Sequence, residues 1–142
     1  MSAREACWDM AVRGLFVQVW QRRALAPARW RIMTSMANGL TYMRKTATPE
    51  ATKQLALTLA PYLHAGDVIV LDGDLGAGKT QFVQGIAEGL GISAAVTSPT
   101  FNILLQYGGG RIPLYHFDLY RLDDADELED IDFYGTIEGD GV

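Results

Sequence analysis

One cysteine, Cys7, is all the thiol this chain carries. That excludes an intramolecular disulfide and fits a reducing compartment. No histidine lies near it in sequence, so Cys7 reads as incidental rather than catalytic. Long apolar runs are also missing: none approaches the ~20 residues needed to cross a bilayer, so no membrane partner is expected. Positive charge is scarce beyond the first 43 residues. That first stretch holds six arginines against Glu5 and Asp9, a net of +4; the rest holds six basic against fifteen acidic residues, a net of −9. An acidic body argues against strong direct nucleic-acid binding and leaves nucleotide-Mg²⁺ and other proteins as expected partners. With 142 residues, half of them apolar, the chain is one globular domain with a real core.

What the sequence does contain is Gly73-Asp74-Leu75-Gly76-Ala77-Gly78-Lys79-Thr80. This matches G-x-x-x-x-G-K-[ST], a loop whose backbone N–H groups cradle a polyphosphate. Glycines let the backbone curl tightly, Lys79 brings a mobile positive charge to the β- and γ-phosphates, and the Thr80 hydroxyl suits Mg²⁺. Gln81 follows in the first turn of the next helix, whose positive end points at the same phosphates. Context agrees with the motif. Asp67 to Asp72 is a short β-branched run, the mark of a buried strand. Phe82, Val83, Ile86, Ala87 and Leu90 recur at helical spacing, and Gly91 is a stop.

Upstream, Thr48 is an N-cap and Pro49 suits the first helical position. Leu55, Ala56, Leu59, Tyr62 and Leu63 form an apolar face, and Pro61 ends or kinks the helix near Ala60. His64, near its end, reads as solvated. Downstream, Ser98-Pro99-Thr100-Phe101 is either a proline turn or a switch-like loop that brings a hydroxyl to the γ-phosphate or to Mg²⁺. Gly108-Gly109-Gly110 then joins Phe101–Tyr107 to Arg111–Tyr120 as a β-hairpin. Asp118 closes the second strand, where P-loop enzymes place a magnesium-ordering carboxylate; a turn cap is the other reading. His116 reads as structural. Asp123 to Ile131 is a short acidic helix capped by Asp123 or Asp124.

Residues 1–43 differ from the rest. They hold all three tryptophans and only patchy helical spacing. Three readings stand: translated leader ahead of Met33, Met36 or Met43, a targeting segment, or a short amphipathic interaction helix. The domain proper is expected over 44–142.

With these motifs in view, the chain resembles the TsaE (YjeE) family, small P-loop ATPases of bacterial tRNA threonylcarbamoyladenosine synthesis. The resemblance rests on Gly73–Thr80, on Ser98-Pro99-Thr100-Phe101, on His116-Phe117-Asp118-Leu119-Tyr120-Arg121-Leu122 and on Glu127-Leu128-Glu129, in the family's order, and covers about residues 44–142. It implies an α/β fold, a P-loop NTPase-like three-layer sandwich with a central sheet and a β-hairpin. It implies slow, Mg²⁺-dependent ATP hydrolysis in the cytoplasm, and work alongside TsaD and TsaB, which transfer threonylcarbamoyl to the adenosine beside the anticodon. By position, Gly76, Ala77, Gly78, Lys79, Thr80 and Gln81 would hold the phosphates. Thr80 and Asp118 would hold Mg²⁺, with Lys79 and Asp118 assisting hydrolysis. Thr100 would sense the γ-phosphate, and Pro49 would lie near the adenine.

The family continues past the position of Val142 into a strand carrying Glu-Trp, whose glutamate helps bind Mg²⁺; the chain therefore reads as C-terminally shortened, with unprotected or borrowed sheet edges beside the P-loop strand. Two other functions stay open. A small-molecule kinase would need an arginine-bearing lid, and only Arg111 and Arg121 lie downstream of the loop. A non-catalytic interaction module would need no nucleotide. An Asn-Lys-x-Asp guanine reader is absent.

Overall fold

A computed structural model describes residues 46–99 and 101–142 in full, together with the backbone of three N-terminal strands. Strands β1 (Trp8–Val12), β2 (Leu15–Trp20) and β3 (Leu40–Met43) precede helix α1 (Pro49–Leu59). Strand β4 (Val68–Asp72) and helix α2 (Lys79–Gly89) come next, then strands β5 (Leu104–Tyr107) and β6 (Leu114–Phe117), and short helices α3 (Glu127–Asp130) and α4 (Phe133–Ile137). The architecture is mixed α/β. Among the described residues no helix is long and apolar enough to cross a membrane.

Helix α1 starts where its cap dictates. Thr48 is extended, its Oγ1 accepts the Ala51 N–H at 3.1 Å, and Pro49 opens the first turn. Such a cap is worth about 1 kcal/mol. Thr52 and Ala56 are buried, and Leu55 and Leu59 pack on the core. Tyr62 departs from the expected apolar face: it is 68% exposed, while Leu63 is fully buried. Pro61 closes α1 in a 3-10 turn over Ala60–Tyr62, and the tighter winding turns Tyr62 outward. His64 is exposed, as expected, 3.8 Å from the buried Asp67 carboxylate.

Helix α2 presents Phe82, Val83, Ile86 and Ala87 to the core, continued by Leu90. It stops at Gly91, whose φ of +81° few other residues tolerate. Helices α1 and α2 lie close because small residues face each other. A Cβ on Gly85 would sit 2.2 Å from Lys53 O, and one on Gly89 would sit 2.4 Å from Ala60 Cβ. The Lys53–Glu88 ion pair also spans the two helices at 2.6 Å, but its half-exposed setting limits it to a few tenths of a kcal/mol.

Strand β4 belongs to a four-stranded sheet of order β3-β1-β2-β4. Strand β2 runs antiparallel to β4, from Phe16↔Asp72 to Trp20↔Val68, and β1 is antiparallel to β2 and parallel to β3. The described parts of residues 1–43 are thus strands, not the interaction helix considered above. The Leu15–Trp20 run is rich in β-branched and aromatic residues, which suit a pleated surface better than a helix. One edge of β4 is consequently covered, a borrowed pairing rather than a bare edge.

The hairpin β5–β6 forms a separate two-stranded antiparallel sheet, Leu104↔Phe117 to Tyr107↔Leu114. Its connection is longer than a glycine turn, and β6 begins at Leu114 rather than Arg111. The intervening residues dock on the helices. Arg111 N–H donates to Leu90 O at 2.7 Å, and its Nη2 donates to Ala60 O and Leu63 O at 2.9 and 2.8 Å. One guanidinium therefore ties together two carbonyls at the end of α1, of which that of Ala60 also accepts the Leu63 N–H at 3.2 Å. Arg111→Met keeps the aliphatic stem and removes both bonds. It should cost about 1–3 kcal/mol, read as a lower urea midpoint with an unchanged slope.

The acidic segment is less helical than expected: α3 has four residues. Asp124 Oδ1 accepts the Asp126 N–H at 3.3 Å, holding a turn ahead of α3 instead of capping it. Phe133 then meets Phe117 edge-on at 5.0 Å, which fixes α4 against β6.

Candidate functional site

The loop between β4 and α2 has the backbone its sequence requires. Gly76 and Gly78 hold φ of +82° and +105°, and Ala77 N–H closes a turn onto Asp74 O at 2.9 Å. A Cβ at Gly76 would meet nothing, so conformation rather than space demands glycine there. Gly78 is the N-cap of α2, and its carbonyl accepts Phe82 N–H at 3.0 Å. The preceding N–H groups of α2, those of Lys79, Thr80 and Gln81, have no acceptor one turn back within the helix. They stand at its positive end. Lys79 Nζ folds back onto the loop itself, donating to Gly73 O and, at 3.3 Å, to Asp74 O. The ammonium is held over the loop by neutral carbonyls.

Below the loop lies a cleft of about 460 Å³ between β4 and β6. Lys79, Thr80, Ser98, His116 and Asp118 are among its polar residues, and Asp67 and Asp72 line it as well. Three of the residues expected at the site, Lys79, Thr80 and Asp118, are thus brought to one cavity from the start of α2 and the end of β6. Gly76, Ala77, Gly78 and Gln81 do not line it; they form the loop and helix start at its rim. Pro49 is not in the lining either, although α1 stands beside the loop: Thr52 Cγ2 is 3.6 Å from where a Cβ on Gly78 would be. Thr100 lies outside the described residues.

Asp118 makes the turn that is one of its two readings, and it faces the cleft. Its Oδ1 accepts the Tyr120 N–H at 3.1 Å, an Asx turn that ends the strand, and it also lines the cleft. A carboxylate has a second oxygen free of that turn's geometry.

Two side chains with no role in the sequence reading hold the segment ahead of Thr100. Gln84 of α2 donates to Val96 O at 3.0 Å, and Tyr107 of β5 accepts the Thr97 N–H at 3.2 Å. Helix α2 and strand β5 therefore hold the residues just ahead of Ser98, which lines the cleft. No short-range pattern announces these contacts, which span 12 and 10 residues.

His116 sits largely buried, and its Nδ1 has no hydrogen-bond partner among the described residues. Burial pushes its pKa below 6.5, against weaker upward pulls from the Asp118 charge and from Thr97. The folded chain thus holds a neutral imidazole. As pH falls below 6.5 the unfolded chain takes up this proton more readily, so the His116 contribution to stability is lost across the window just below that value. His116→Gln should flatten the fall in urea midpoint between pH 7 and 5 relative to the parent chain. An identical slope in both would remove His116 from that titration.

Residues 46–142 match the model of a protein family described as "Threonylcarbamoyl adenosine biosynthesis protein TsaE". The chain belongs to the TsaE family. It is 50% identical over 98 residues to tRNA threonylcarbamoyladenosine biosynthesis protein TsaE of Bacillus subtilis (strain 168), a match covering 69% of this chain and 61% of that relative. The like-named proteins of Nostoc sp. and Synechocystis sp. are 52% and 56% identical over 82 and 72 residues, covering 58% and 51% of this chain and 51% and 46% of those relatives. The chain spans about half to three fifths of the length of these curated relatives. The stretch shared with TsaE holds the glycine loop, the hairpin and every residue expected at the site.

Proposed function

We propose that this TsaE-family chain binds ATP with Mg²⁺ at the Gly73–Thr80 loop and hydrolyses it slowly. Together with TsaD and TsaB, in the cytoplasm where ATP and tRNA meet, it would serve threonylcarbamoylation of the tRNA adenosine beside the anticodon. The observation that carries the reading is the convergence of Lys79, Thr80 and Asp118 on one cleft under a glycine loop with two left-handed backbone positions. A P-loop three-layer sandwich is the arrangement that strand β4, this loop and helices α1 and α2 would take within a whole TsaE protein.

The residues fit their ligands chemically. Backbone N–H groups at the start of α2 and the Lys79 ammonium suit a polyphosphate. Mg²⁺ takes one or two protein oxygens and shares the phosphates; Thr80 and Asp118 would offer them. When bound, the ion would supply charge stabilisation at the phosphoryl group. Asp118 would then order water, Ser98 would supply a hydroxyl at the same mouth, and the wall of Ile69, Leu71 and Val83 would keep bulk water out. The kinase alternative is weakened by what the two downstream arginines do: Arg111 caps α1, and Arg121 lies 5.5 Å over the Phe101 ring.

The test is a thermal melt with Mg-ATP and, separately, Mg-GTP. At ~100 times its dissociation constant a ligand adds about 2.7 kcal/mol, a shift of several degrees for a chain of this size. A shift with ATP alone supports the reading; no shift with either leaves a nucleotide-free interaction module as the better one. Asp118→Asn retains an acceptor for Tyr120 N–H, so it should bind Mg-ATP within about threefold of the parent yet lose tenfold or more in turnover, of the order assigned to a positioned acid–base group. Equal turnover by phosphate release would reduce Asp118 to its turn.

A further inference from the structure

Thr52 is the fourth residue of α1, and only 1% of it is exposed. A β-branched side chain loses freedom against the preceding helical turn, and a hydroxyl withdrawn from water needs a partner. Thr52 Oγ1 has one in Thr46 Oγ1 at 2.8 Å, on the chain that leads into α1, and Thr46 is itself buried. Thr48 O lies 3.4 Å away, a weaker acceptor one turn back. The hydroxyl is thus fixed from the α1 side, and the methyl carbon is the atom of Thr52 nearest the place of a Cβ on Gly78.

The spacing between α1 and its neighbour explains what that methyl does. Thr52, Ala56 and Ala60 follow one another at four-residue intervals, and across from them lie Gly78, Gly85 and Gly89. At the last two the helices nearly touch: a Cβ on Gly85 would be 2.7 Å from Ala56 Cβ, and one on Gly89 would be 2.4 Å from Ala60 Cβ. At Gly78 the seam is wider. A Cβ there would be 3.6 Å from Thr52 Cγ2 and 4.0 Å from Thr52 Oγ1. Among the described residues outside its own chain neighbours and helix, it would meet nothing else within 4 Å. The γ atoms of Thr52 therefore reach into a gap that alanine at this position would leave open, and they form the wall behind Gly78.

Gly78 is the joint between the loop and α2. Its φ is +105°, it is the N-cap, and its carbonyl accepts the Phe82 N–H at 3.0 Å. Glycine has no side chain to hold such a conformation, so neighbouring contacts must limit it. A small rotation at this joint swings the first N–H groups of α2, the ones open to a phosphate.

We infer that Thr52 is a positioning residue of the phosphate loop. Its methyl limits the movement of Gly78, and its hydroxyl, tied to Thr46, keeps that methyl in place. Thr52 acts through Gly78 and not on the ligand. The inference rests on the reading of Gly73–Thr80 as a phosphate site.

The two γ substituents can be removed one at a time. Thr52→Ser keeps the hydroxyl and loses the methyl; Thr52→Val keeps the methyl and loses the hydroxyl. The probe is inorganic tripolyphosphate, titrated calorimetrically into the intact 142-residue chain, with urea midpoints measured beside it. Thr52→Ser should weaken binding by about fourfold, the equivalent of one buried methyl group. Thr52→Val should retain binding although its urea midpoint falls, because the buried Thr46 hydroxyl loses this partner. Amide exchange by NMR, without ligand, gives a second readout. Exchange at Phe82 should quicken in Thr52→Ser, and not in Thr52→Val, relative to Leu90, whose N–H bonds to Ile86 O at the other end of α2. A purely structural role would make affinity follow the urea midpoint in both variants, and that result would overturn the inference. Parent-like affinity in Thr52→Ser would overturn it too, as would an unchanged exchange ratio there. If the parent chain binds no tripolyphosphate the inference also falls, whereas the reading of the loop is decided separately by the melt with Mg-ATP.

Discussion

Lys79→Ala is expected to weaken Mg-ATP binding by roughly a hundredfold or more while leaving the melting temperature of the nucleotide-free chain almost unchanged. The two halves of this result have separate causes. Without ligand, Lys79 Nζ bonds to Gly73 O and Asp74 O. Asp74 is exposed and Gly73 half-buried, so water can replace the ammonium at both carbonyls and little stability is lost. With ligand, the same ammonium would leave neutral carbonyls for phosphate oxygens. Charge-assisted bonds of that kind are worth about 1.5–3 kcal/mol each, and two of them amount to about 3 kcal/mol or more, a hundredfold in affinity. Calorimetric titration gives the affinity and a melt gives the stability. Undiminished affinity would refute the assignment of the loop. A collapsed melting temperature would show instead that Lys79 serves the fold.

The parts of this chain that could be read from sequence are those whose cause is local. Thr48 caps the helix that begins one residue later. The glycines at 76 and 78 sit where positive φ is needed, and Phe82, Val83 and Ile86 face one way because 3.6-residue winding makes them do so. What escaped depends on partners far along the chain. Arg111 finds carbonyls 48 and 51 residues upstream, and no pattern near Arg111 points to them. The hairpin's β6 begins late for the same reason. Of the N-terminal strands only β2 pairs with β4, joining residues about fifty apart, and the composition of the whole stretch offered only weak periodicity. Tyr62 was misplaced by one 3-10 turn. In the site, Lys79, Thr80 and Asp118 were legible as a motif and a strand end, but the hold on Val96 and Thr97 by Gln84 and Tyr107 was not.

Gly85→Ala should be among the most damaging single-methyl additions in the chain, and it sets two effects against each other. Alanine is the better helix former, by about 1 kcal/mol in a helix interior, so propensity alone predicts stabilisation. Packing predicts the reverse. The new Cβ would lie 2.2 Å from the Lys53 carbonyl oxygen and 2.7 Å from Ala56 Cβ. The first of these is backbone within α1 and cannot rotate aside. Relief requires α1 to move off α2, and that seam holds the fully buried Ala56, Ala60, Leu63 and Phe82. Overpacking of this kind costs about 1–3 kcal/mol, and separating two helices lies at the upper end, so a net loss of about 2 kcal/mol remains after the propensity gain. Glu88→Ala, which breaks only the half-exposed pair with Lys53, should change stability by less than about 0.5 kcal/mol. Urea unfolding of both variants separates the causes. If Gly85→Ala raised the midpoint, the close approach of the two helices would be wrong. If Glu88→Ala were the more costly, the ion pair rather than the glycine contact would be what holds α1 beside the glycine loop.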